Sequence, residues 1–292
     1  MSQLKLSRRE ALAAMGALAV TAGVGTRAAM AQTEGKAVKG IALQLYTLRD
    51  PAKEDLAGKL KKVRDMGWEY VQWSGMPDLP ADKIREALDT AGLAAVSAHI
   101  GVEGFETDFD NQVAFWKTVG NKDVAPGGMM RDCQDSLEAW KRGAARLDAV
   151  GGKLREAGMR LSYHNHDHEF KTFDGDDRCK LDILMAETKP ENLFAEIDTA
   201  WVGVAGVNPA EYLLKVKGRC PMIHVKDYEG EKRLGRVKFC AVGSGAMKWD
   251  AVFPAAKEAG VEWYIYEQDN TTGDIFADAK ASFEFMSKNV SL

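Results

Sequence analysis

From about residue 40 to the end of the chain, short apolar runs alternate with longer stretches in which apolar residues recur every three or four positions. The first pattern predicts buried strands, the second amphipathic helices. Strands are expected at 41–46, 70–73, 94–99, 123–125, 160–166, 193–198, 222–226 and 263–267. Helices are expected between them, at 54–66 (with Leu56, Leu60 and Val63 on one face), 81–90, 108–118, 136–157, 182–187, 209–216 and 250–259. A last helix at 274–288 closes the chain. Gly67, Gly92, Gly158 and Gly260 each follow a helix and open a short turn into a strand, the place of a left-handed helix cap. A strict strand–helix alternation of this length predicts an α/β chain closed into a (β/α)8 TIM barrel. The competing open, doubly wound sheet lacks its glycine-rich nucleotide loop: Tyr46-Thr47-Leu48-Arg49-Asp50-Pro51 follows the first strand.

On this frame the polar residues of the strands sort toward one end. The chain has five histidines. His99 ends the third strand, His164, His166 and His168 lie at the end of the fifth, and His224 is in the seventh. Alternate residues of a barrel strand share a face. Ser162, His164, His166 and His168 therefore share one, as do Glu196 with Asp198 and His224 with Lys226, while Glu267 ends the eighth strand. The late strands thus offer His, Asp, His and Glu to one mouth, a mixed nitrogen and oxygen donor set suited to Mn²⁺, Fe²⁺, Co²⁺ or Zn²⁺.

A net charge of −4 argues against an electrostatic nucleic-acid surface. Cys133, Cys179, Cys220 and Cys240 show no metal-finger spacing. Ser7-Arg8-Arg9 precedes an alanine-rich apolar stretch, and Ala29-Met30-Ala31 offers small residues for cleavage before Gln32. Residues 1–31 are therefore expected to be a twin-arginine-type signal peptide, leaving 32–292 as one barrel domain in the periplasm or beyond, with no stable membrane span. Removing four basic residues and one acidic one takes the net charge from −4 to about −7.

Four motifs carry a family resemblance. Leu161-Ser162-Tyr163-His164-Asn165-His166 resembles a strand-five motif ending Glu-Asn-His, and Glu196-Ile197-Asp198-Thr199 a strand-six Leu-Asp-Thr. Ile223-His224-Val225-Lys226-Asp227 resembles His-x-Lys-Asp, and Val242-Gly243-Ser244-Gly245 with Lys248-Trp249 a Gly-x-Gly turn before strand eight. Ala98-His99 is similar to a strand-three Ser-x-His element. Residues 40–288 thereby resemble the sugar phosphate isomerase/epimerase group with its xylose-isomerase-like barrel.

That resemblance implies one divalent metal ion held by His164, Asp198, His224 and Glu267, with His164 departing from the family's usual Glu. It implies chemistry through an enediolate on a keto-sugar. Glu267 is the first candidate for proton transfer, with His166 or Glu196 as alternatives, and Lys226 is an oxyanion stabiliser or an ion-pair partner of Glu196 or Asp227. His99, Tyr46, Trp201 and Glu196 are candidate substrate contacts; Trp73 and Trp249 are candidate sugar walls or packing. A sugar isomerase or epimerase ranks first. A metal-dependent lyase or hydrolase of 3-keto-glycosides is raised by His164 and the export signal, and a non-catalytic periplasmic carbohydrate-binding barrel is the third reading. The expected partner is a small carbohydrate; a homo-oligomer is compatible with all three.

Overall fold

The computed structural model describes residues 38–49, 55–230 and 237–291. The export signal expected at 1–31 lies outside the described residues.

Eight parallel strands close into a barrel: β1 (Gly40–Gln44), β2 (Tyr70–Trp73), β3 (Ala94–His99), β4 (Asp123–Ala125), β5 (Arg160–His164), β6 (Leu193–Asp198), β7 (Met222–Val225) and β8 (Trp263–Tyr266). Each pairs with its sequence neighbours, and closure comes from β1 pairing with β8, Gly40 opposite Trp263 and Leu43 opposite Tyr266. The main helices alternate with them: α1 (Leu56–Asp65), α2 (Ala81–Ala91), α3 (Phe109–Val119), α4 (Leu137–Glu156), α5 (Lys180–Glu187), α6 (Pro209–Lys215), α7 (Trp249–Ala259) and α8 (Ile275–Asn289). The outward faces of the strands pack on the apolar stripes of these helices, as where α2 turns Ile84 and Leu88 inward. Gly92 ends α2 with φ +70° and returns its N–H to the carbonyls of Leu88 and Asp89, the cap its position in the sequence predicts.

The barrel interior is layered along its axis. At the N-terminal end of the strands Arg160 ion-pairs with Asp123 and Glu262, and Lys39 reaches Glu262 at 2.7 Å. Above lies an apolar floor of Ala42, Val96, Met222, Trp263 and Ile265. Further along the axis the interior turns polar: Gln44, Gln72, Ser97, Glu196 and His224, from five strands, are all fully buried. The period of two that puts Ala42 and Met222 in the floor therefore puts Gln44 and His224 in the layer above.

Several strands end sooner than the apolar pattern predicts. β1 stops at Gln44, whose side chain accepts from the Tyr46 N–H and starts a tight 3-10 turn over Leu45–Leu48. β5 stops at His164, because the next side chain, Asn165, accepts from the Asp198 N–H rather than continuing the ladder. β7 gives way to a two-residue antiparallel pairing of Asp227–Tyr228 with Phe239–Cys240. Short helical turns at Glu103–Thr107 and Thr199–Val204 and a second small antiparallel pair, Thr172–Phe173 with Asp176–Cys179, were not expected. Among the described residues no helix is long and apolar enough to cross a membrane.

Candidate active site at the barrel mouth

The C-terminal ends of β5 to β8 bring His164, Asp198, His224 and Glu267 together, each buried, with one donor atom apiece lying within 4.8 Å of the others. An ion with bonds of about 2.1 Å spans about 4 Å between opposite donors, so a small inward movement closes this set around a cation. Two observations show that the residues fit. His164 Nδ1 is buried without a hydrogen-bond partner, an arrangement costly to maintain unless something else satisfies it, and Asp198 Oδ2 accepts no hydrogen bond but is met by the Lys226 ammonium as an ion pair at 3.0 Å. The site is also rich in acid: Asp198, Glu267 and Asp269 crowd one fixed ammonium, Lys226, while Glu196 sits against His224.

Each side chain is held by its local structure. Asp198 is also the N-cap of the Thr199–Val204 turn: Oδ1 accepts from the Trp201 N–H at 3.0 Å, which leaves Oδ2 for the mouth. His224 is clamped on both ring nitrogens. Nδ1 lies 2.8 Å from Glu267 Oε2, and Nε2 lies 2.7 Å from both Glu196 Oε1 and Gln72 Oε1. Gln72 in turn donates to Glu196 at 2.7 Å and to Ser97 at 3.1 Å, and accepts from Gln44 at 2.6 Å. A carboxylate behind an imidazole fixes its tautomer and raises its donor strength, the usual support for a metal-ligating histidine. Glu196 is thus buried behind His224, where its carboxylate positions the imidazole.

Lys226 also departs from expectation. It pairs with neither Glu196 nor Asp227; its Nζ sits 3.0 Å from Asp198, 2.7 Å from Glu267 and 3.1 Å from Asp269, with the Phe239 ring 5.0 Å away. The Asp227 carboxylate accepts instead from the backbone N–H groups of Gly243, Gly245 and Met247 and from Trp249 Nε1. A Cβ on Gly245 would run into it, which accounts for the glycine-rich turn. Trp249 and Trp73 are consequently packing, not sugar walls. Tyr46 stands exposed on the rim with Arg49 stacked at 4.2 Å, and Trp201 faces His166 with ring centroids 5.4 Å apart.

The titrations follow from this crowding. Burial and the neighbouring His224, His99 and His166 push His164 well below the usual histidine range, so it is neutral, as a ligand must be. Burial disfavours charge on His224, but Glu267 and Glu196 outweigh it and hold the imidazole up to about 10; a divalent ion would compete with that proton. Burial likewise opposes the charge of Glu267, and Lys226 and His224 overcome it, keeping its carboxyl well below the carboxylate range.

Above these residues opens a cavity of about 460 Å³ whose lining includes Tyr46, His99, His164, His166, Glu267 and Asp269. His99 stacks on His224 at 5.1 Å with Nε2 3.2 Å from Glu196. His168 stays outside, paired with Glu169 at 3.0 Å; Glu169 also accepts from Tyr163 and from the His166 N–H and so sets the turn that carries His166. Sequence reading missed Gln44, Gln72 and Asp269. The signal for the glutamines was a polar residue inside an apolar run, Leu43-Gln44-Leu45 and Val71-Gln72-Trp73. Asp269 stands beyond the last strand, where strand periodicity no longer applies.

Comparison with known proteins follows the same geometry. Among curated proteins, the chain is similar to an inosose dehydratase of Lacticaseibacillus casei (24% identical over 171 residues, 53% of this chain and 56% of that one) and to one of Clostridium beijerinckii (26% over 167 residues, 51% and 54%). The chain spans about half the length of these relatives. Among solved structures it resembles a sugar phosphate isomerase/epimerase from Parabacteroides distasonis ATCC 8503 (TM-score 0.73, 21% identity, 87% of this chain and all of that one). An L-ribulose 3-epimerase (0.65, 16%, 86% and 94%) and an IolI protein with a bound zinc atom (0.66, 18%, 86% and 99%) share the fold. The family model of the xylose isomerase-like TIM barrel matches residues 60–289, and with the closed eight-stranded barrel this places the chain in that family.

Proposed function

We propose that this protein is a divalent-metal-dependent enzyme that removes the proton beside the carbonyl of a keto-sugar and then expels a group from the β carbon. The convergence of His164, Asp198, His224 and Glu267 on one cavity, with Lys226 among them, carries this reading. A divalent ion on those four side chains would supply Lewis acidity to an adjacent hydroxyl and carbonyl, making the C–H between them acidic. The ammonium of Lys226, held at the same edge, stabilises negative charge as it develops on the carbonyl oxygen. His166 and Glu267 both face the cavity and are the proton carriers. One takes the proton, and the C–H electrons pass into the enediolate. Those electrons then form the new C=C bond as the C–O bond at the β carbon breaks. The departing oxygen takes up a proton, giving an unsaturated keto-sugar and an alcohol or water.

Elimination is preferred to epimerisation because of His164. A symmetric two-carboxylate exchange needs a carboxylate on strand β5, and the structure has an imidazole there. The relatives named inosose dehydratases support the same direction, since the name denotes loss of water. Isomerisation or epimerisation remains the second reading, supported by the shared cavity position of His166 and Glu267, which could pass a proton from one carbon or face to another. Incubating metal-supplemented protein with 3-keto-glycosides in heavy water separates them by NMR. Released alcohol with an unsaturated ketone supports elimination, whereas deuterium at the α carbon of an intact isomer supports the second reading. Neither product nor exchange from metal-loaded protein contradicts both. Export by the Arg8-Arg9 signal belongs to the same proposal: replacing both arginines with lysine retains the protein in the cytoplasm on cell fractionation, and an unchanged distribution overturns it.

A further inference from the structure

We propose that the barrel mouth carries a second sugar-ring subsite, so that the substrate is a glycoside of at least two rings and the second ring leaves as the alcohol. This rests on the keto-sugar reading above. A second cavity, of about 510 Å³, meets the mouth cavity at Gly101, Gly127 and His166. Each lies within the ~300–1,000 Å³ of ordinary small-molecule sites, so one sugar ring does not fill the pair.

The passage between them is kept open by the backbone. β4 exits into Pro126-Gly127-Gly128, and a Cβ on Gly128 would meet nothing within 4 Å, while one on Gly127 would come no nearer than 3.9 Å, to His99 Nδ1. A side chain at Gly127, which lines both cavities, would therefore enter the junction, and one at Gly128 the open space beside the far cavity. His166 forms the shared wall, so a ring bound in the mouth has its neighbour directly across this saddle.

The far cavity has the chemistry of a neutral polyol site. Its wall offers two acids, Glu103 and Asp167, one guanidinium, Arg131, two imidazoles, His166 and His168, and one amide, Gln134, beside the thioethers of Met129 and Met130. Gln134 spends Nε2 on the Met129 carbonyl at 2.6 Å, which aligns the amide and leaves its oxygen as an acceptor. Balanced donors and acceptors beside an apolar surface suit a pyranose, with hydroxyls at its edge and C–H groups on its face. A phosphate would call for an excess of positive charge, which this wall does not have.

The test compares a keto-disaccharide with the matching keto-monosaccharide methyl glycoside. Wild type is expected to show kcat/KM about tenfold or more in favour of the disaccharide, and Arg131→Ala/Gln134→Ala to bring that ratio to within about twofold of one. A wild-type ratio near one, or a ratio the double substitution does not change, overturns the subsite. Calorimetric binding of the unoxidised disaccharide and monosaccharide keeps the two readings apart. If no keto compound is turned over, the elimination fails; tighter disaccharide binding that is lost in the double variant still upholds the subsite, and equal binding overturns it.

Discussion

Single residues at this mouth do two jobs through their two polar ends. Asp198 caps a helical turn with one oxygen and offers the other to the site, and His224 gives one nitrogen to the site and the other to a carboxylate. The second pairing yields a direct prediction. Glu196→Gln keeps an acceptor opposite His224 Nε2 but removes the charge that strengthens it, so metal affinity should fall about 10- to 100-fold with the fold intact. Titrating apo-protein with Mn²⁺ or Zn²⁺ reads this; unchanged affinity would mean Glu196 is only packing. Legibility at this scale was uneven. His164, Asp198, His224 and Glu267 stand where an alternating strand meets its C-terminal end, which the sequence shows. The partners of Lys226 were misjudged because alternation tells which face a side chain takes but not which carboxylate from another strand it meets.

At the level of elements, loops are tied down by single charged side chains. Asp227 accepts from several backbone N–H groups and an indole, and so holds the whole turn between β7 and α7. Asp227→Ala strands those donors and should cost roughly 3 kcal/mol of stability, measurable by urea unfolding; a loss below about 0.5 kcal/mol would contradict the account. Arg146 of α4 similarly pins the Glu103–Thr107 turn through Glu106 and the stretch after β4 through Asp132 at 3.0 Å. The hydrogen bond from Arg146 holds the Glu106 carboxyl below the usual glutamate range. A depressed folded-state pKa contributes stability above the unfolded value of about 4.3, and that contribution disappears as pH falls through the lowered one. Wild type should therefore be more stable than Arg146→Met at pH 7, and the gap should narrow below about pH 4; a pH-independent gap in melting temperature would show that only packing was lost. Strand and helix positions were readable from periodicity, whereas the two-residue antiparallel pairs were not, since a pair such as Phe239–Cys240 is too short to have a period.

For the whole molecule, closure of the barrel is what turns scattered strand ends into one site. The interior passes from an ionic plug through an apolar floor to a buried polar layer and then the mouth, following the strand period on β1 and β7 but not on β3, where adjacent Val96 and Ser97 enter successive layers at a register shift with β2. The fold class was legible because eight repeats of one pattern reinforce each other. The reaction was less so, because under the proposed reading elimination and epimerisation begin with the same proton loss and diverge on the groups around it, such as His164, whose surroundings strand periodicity does not give. The central claim is that the mouth holds a divalent ion. Its most direct test is the metal content of the purified protein, compared with His164→Ala and Asp198→Ala: near-stoichiometric metal in the wild type, lost in both folded variants, is the expected result, and metal-free wild type after supplementation, still folded, would contradict it.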